Sequence, residues 1–153
     1  MQIIVLADEL QKKELAEGLP LNGIVWIEDE HEFLQYKDAG AFIDLEFVND
    51  EKRKALLRQL LPKPVVINSV TETLSEIDPA FIRINGWNTF LSSSLIEASC
   101  MNETMKPKVE EVFLQFNKKI EWLRDETGFI TTRVVSMIIN EAFISLGEVV
   151  STK

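Results

Sequence analysis

Few side chains in this chain could do chemistry on their own. Cys100 is the single cysteine, so an internal disulfide framework and a multi-cysteine zinc site are excluded. As a small apolar residue it is expected in the interior. His31 is the single histidine, set in the acidic stretch Glu28-Asp29-Glu30-His31-Glu32. No second ligand stands at metal spacing from it, so no metal site is expected and His31 belongs on the surface. The segment Asp8-Glu9-Leu10-Gln11 has the S/T/D-x-x-E/Q spacing of a capping box. Asp8 would accept from the first turn of a helix while Gln11 reaches back to it. A helix start of this kind can hold an anion, but Asp8 and Glu9 place carboxylates there instead.

Acidic residues outnumber basic ones 25 to 16, for a net charge of −9. That opposes non-specific binding to nucleic acid or anionic lipid. The N-terminal Ile3-Ile4-Val5-Leu6 meets Asp8 too soon for a signal peptide. No apolar run reads as long enough to span a bilayer, and the cytoplasm is the expected compartment. The 153 residues, 46% hydrophobic and 27% charged, suit one core-bearing α/β unit.

The elements that must position these residues alternate. Short apolar runs at Ile3–Leu6, Gly23–Ile27, Ala41–Leu45, Val65–Ile67, Phe81–Ile84, Leu95–Ala98 and Ile120–Leu123 read as strands. Helices are expected after Asp8 up to Gly18, over Glu30–Tyr36, Asp50–Leu61 and Thr104–Phe116. This order implies an α/β fold, a mostly parallel sheet with helices on both faces. A ligand would bind at the carboxyl ends of its strands. Trp26, Trp87 and Trp122 are expected in the core. After Gly128, Phe129–Val150 reads as one long helix. Its apolar residues Ile130, Val134, Val135, Met137, Ile138, Ile139, Phe143, Ile144 and Leu146 are too many for one packing contact. Its own sheet is expected to cover one side and a partner the other.

Asp125-Glu126-Thr127-Gly128-Phe129-Ile130-Thr131-Thr132-Arg133, followed by Asn140-Glu141-Ala142, resembles the 3-hydroxyacyl-CoA dehydrogenases. These have Asp-x-x-Gly-Phe-Ile-x-Asn-Arg where their two domains join, then Asn-Glu-Ala in the next helix. The resemblance implies a Rossmann-like domain over residues 1–125. Residues 126–153 would be the remnant of a helical second domain. It also marks where the family's machinery would lie. The cofactor glycines Gly-x-Gly-x-x-Gly fall on Ala7, Glu9 and Lys12, and the ribose-binding acid on Glu28, ~20 residues further on. The family's catalytic His-aromatic-x-Asn-Pro falls on Asn85-Gly86-Trp87-Asn88-Thr89. Its orienting glutamate, twelve residues after the histidine, falls on Glu97, and its active-site asparagine on Thr132. Asn68–Thr73 echoes the family's serine-rich substrate turn.

Each departure removes a function. Glu9 takes the place of a glycine that lets backbone approach the pyrophosphate. Asn85 replaces the base, and an amide does not exchange protons usefully near neutral pH. The expectation is a catalytically silent relative, a binding or scaffold protein without a cofactor, dimeric through the C-terminal helix. The alternatives are an NAD-dependent dehydrogenase of 3-hydroxyacyl-CoA or a small hydroxyacid, and a sensor of an acyl-CoA-like ligand. Neither nucleic acid nor membrane is an expected partner.

Overall fold

The computed structural model describes residues 1–20 and 22–147. Seven strands form one sheet: β1 (Ile3–Leu6), β2 (Ile24–Ile27), β3 (Ala41–Asp44), β4 (Val65–Asn68), β5 (Ile82–Ile84), β6 (Leu95–Cys100) and β7 (Lys119–Trp122). The helices are α1 (Glu9–Ala16), α2 (Glu51–Arg58), α3 (Leu74–Ile77), α4 (Lys106–Leu114) and α5 (Ile130–Gly147), with a 3-10 helix at Glu30–Tyr36. The strand order is β2-β1-β3-β4-β5-β6-β7. Strands β1 to β5 are parallel; β6 pairs antiparallel with β5, and β7 follows β6 in parallel.

Alternation along each strand divides the core in two. Ile3 and Val5 face one side of β1, with Leu15 of α1 and Val109, Val112 and Phe113 of α4. Ile4 and Leu6 face the other, with Phe33 of the 3-10 helix, Leu56 and Leu57 of α2, and Leu74 and Ile77 of α3. Helices on both faces therefore bury nearly continuous apolar strands, as a parallel sheet requires.

Several details differ from the sequence expectation. The single turn α3 is too short to show a period; its Thr73–Glu76 capping box marks it instead. Cys100 is half-buried, packed at the edge of a core cluster. Trp26 and Trp122 pack in the same way, but Trp87, in the loop after β5, is 46% exposed. The largest difference is α5. Of its described residues only Thr132 is buried, so its own sheet covers neither side. The nine apolar side chains named above are all 40% exposed or more. With 18 residues and a mean hydropathy of 1.2, α5 is also long and apolar enough, by length and composition, to cross a membrane. Inspection of the apolar runs missed this, because Arg133, Asn140 and Glu141 interrupt them. Residues 148–150 of the expected helix lie outside the described residues.

Candidate functional site

The chain leaves β2 on one side of β1 and places β3 on the other. The crevice at the carboxyl ends of β1 and β3 is thus the topological switch point where such sheets hold ligands. Here protein groups occupy it. Asp8 caps α1: its Oδ1 accepts from the Gln11 backbone N–H at 2.8 Å, and the Asp8 N–H donates to Gln11 Oε1 at 3.1 Å. The buried Gln11 side chain then donates through Nε2 to the Leu45 carbonyl, just beyond β3, at 3.1 Å. Asn68, at the end of β4, donates to the same carbonyl at 3.1 Å and accepts from the Gly86 N–H at 2.9 Å. Gln11 therefore bridges α1 to β3 across the crevice. Its capping role was legible in the sequence; the bridge was not.

Ala7 is buried in the turn after β1, and Lys12 is tied to the outward-facing Glu9 by an ion pair of 2.7 Å. Glu28 is exposed at the end of β2, its N–H donating to Glu32 Oε1. Asp44, the last residue of β3, is fully buried and receives two bonds from Arg53, of 2.7 and 2.9 Å. Burial pushes the Asp44 carboxyl up, and the Arg53 bonds oppose this. Arg53 also meets Glu30 at 3.0 Å, so its guanidinium is committed to two carboxylates. The open cavity beside it, about 720 Å³, is lined by Glu30, His31, Glu46, Asp50 and Glu51. A pyrophosphate laid here would meet carboxylates where the fold's helix end usually offers bare N–H groups.

The second group of expected residues converges. Asn85 follows β5, Glu97 lies on β6, and Thr132 lies in the first turn of α5. Asn85 Nδ2 donates to Glu97 Oε2 at 3.0 Å and to Thr132 Oγ1 at 3.2 Å. A carboxylate only accepts, so this contact fixes which end of the amide faces Glu97. Glu97 Oε1 accepts from the Thr131 N–H at 2.9 Å, which caps the N-terminus of α5. Asn85 Oδ1 is buried without a partner. With both amide hydrogens engaged, the cluster fastens β5, β6 and α5 together. It contains no group that takes up and releases a proton as a histidine would. Beside it, Asn85, Phe90, Leu95, Glu97 and Thr131 border a cleft of about 190 Å³.

Beneath the cluster lies a residue that sequence reasoning missed. Arg83 of β5 is fully buried and donates to Asp125 Oδ1 (3.1 Å) and to the carbonyls of Ser69, Val70 and Glu126. Its guanidinium lies 4.2 Å from the centroid of the Phe129 ring. The chain enters α5 through Gly128 at φ +87°, a conformation that favours glycine.

The fold, with its reversed last two strands and its long terminal helix, is found in solved structures. The chain superposes on (S)-3-hydroxybutyryl-CoA dehydrogenase from Ralstonia eutropha with a TM-score of 0.73 and 14% identity, covering 99% of this chain and 73% of that one. It matches 3-hydroxybutyryl-CoA dehydrogenase from Escherichia coli K12 at a TM-score of 0.67 and 20% identity, over 86% of this chain and 30% of that one. This chain has a Rossmann dehydrogenase fold. A pyridine-carboxylic-acid 5-dehydrogenase described as an NAD+-dependent dismutase shares the fold, with a TM-score of 0.71 and 11% identity, over 98% of this chain and 66% of that one. No family model matches the sequence, and no curated protein matches it. The Rossmann dehydrogenase fold is therefore retained at a sequence distance that leaves the site free to diverge.

Proposed function

We infer that this protein is a catalytically silent member of the Rossmann dehydrogenase fold that works as a homodimeric binding or scaffold protein. The observation that carries the reading is Asn85: it stands where the resembled enzymes have their base, and both its amide hydrogens are engaged by Glu97 and Thr132. The occupied switch point supports it independently, because Gln11 bridges α1 to Leu45 and carboxylates rim the crevice. The dimer is supported by the uncovered apolar residues of α5, a larger exposed patch than a monomer normally leaves. Arg133, Asn140 and Glu141 favour a protein partner over a bilayer for this helix, since such groups are costly in hydrocarbon.

Calorimetric titration with NADH should show no saturable binding, and the purified chain should not oxidise 3-hydroxyacyl-CoA. Asn85→His alone should not create activity, because the crevice remains closed to the cofactor. Micromolar affinity for NADH, or turnover abolished by Glu97→Ala, would refute the reading.

A further inference from the structure

The helix α5 carries two apolar seams. Val135, Ile139, Ala142 and Leu146 follow one another at spacings of four, three and four residues, the pattern of a helix-pair seam. Ile130, Val134, Met137 and Ile144 form a second, about 150° away around the helix. The second seam is interrupted by Glu141, so the first is the better helix–helix contact. Five such side chains remove roughly 350 Å² from water, at about 70 Å² each. A stable interface needs about 800 Å² per partner. Pairing through one seam alone falls short of that, and the second must be covered as well.

We propose that two chains pair antiparallel through the first seam, and that the tip of each α5 lies over the other chain's Asn85–Glu97–Thr132 cleft. The proposal rests on the dimer inferred above and adds its direction and its second contact. An antiparallel pair centred on this seam sets Ile139 against Ala142, large against small, and Val135 against Leu146. An 18-residue helix is about 27 Å long. Side by side and reversed, each tip therefore arrives at the other helix's root, where Thr132 joins Asn85 and Glu97. Around that root the body exposes apolar surface of its own: Leu95, 45% exposed, borders the cleft, and Trp87, 46% exposed, stands two residues beyond Asn85. The tip residues Phe143 and Ile144, 72% and 51% exposed, are the complement to that surface. A parallel pair would bring tip to tip and leave both Leu95 and the second seam in water. The occupant of each cleft is thus a second copy of this chain, and the cleft is complete only in the dimer.

Thiol cross-linking in a Cys100→Ser background tests this. Leu95→Cys and Leu146→Cys are introduced singly and together, at exposed positions in the single chain, and treated with a short bis-maleimide. The double variant should give a covalent dimer and each single variant should not. A dimer by light scattering in which Leu146→Cys cross-links to itself would overturn the antiparallel pairing while leaving a dimer. A dimer with no cross-link from the double variant would overturn the tip-over-cleft contact. A monomer mass, with or without flotation on phosphatidylcholine vesicles, would remove both this proposal and the dimer it rests on.

Discussion

Replacing Arg83 by methionine should lower stability by about 3–5 kcal/mol, the cost of breaking a buried ion pair by removing one partner. Methionine restores much of the volume but none of the hydrogen bonds. Asp125 would lose its cation, and three carbonyls would lose a donor. Asp125 also accepts from the Leu74 and Ser75 N–H groups through its other oxygen, so the start of α3 would loosen with it. Phe129 would lose the charge over its ring. A domain of this size has about 5–15 kcal/mol in all, so the loss takes a third of it or more. Urea unfolding at fixed protein concentration measures this, because association couples to stability. A change under about 1 kcal/mol would mean that the network is not what anchors α5.

A second large effect is expected in α5 itself. Ile139→Asp should turn the assembled protein into a folded monomer at micromolar concentration. Ile139 is 49% exposed in the single chain, so an aspartate there meets water and leaves the fold intact. In the dimer it would lie in the middle of an apolar seam, where an unpaired charge is strongly penalised. Losing the side-chain burial alone, about 1.5–3 kcal/mol, weakens association tenfold or more, and the buried carboxylate adds to it. Light scattering should show the mass halve while the helical circular dichroism signal stays. Ser136→Asp, on the polar strip with Arg133 and Asn140, serves as the control and should leave the mass unchanged. An unaltered mass for Ile139→Asp would place the interface elsewhere.

The sequence by itself determined what depends on neighbours in the chain. The run Ile3–Leu6 became a buried strand because alternation on a covered sheet needs apolar residues on both faces. The Asp8–Gln11 cap formed as its spacing required, because both partners sit within one helical turn. The convergence of Asn85, Glu97 and Thr132 was legible through motif spacing: twelve residues span the β5–β6 connection, and the Gly-Phe-Ile motif marks the root of α5. Other features were decided only by the tertiary structure. Gln11 and Leu45 lie 34 residues apart and meet because β3 pairs with β1. Arg83 reaches Asp125, 42 residues on, because β6 and β7 turn back along the sheet and return the chain to β5. The exposure of Trp87 and of all but one described residue of α5 is equally non-local. Apolar composition shows that a surface needs covering, but which surface covers it is set by strand order and by the direction in which the helix leaves the sheet.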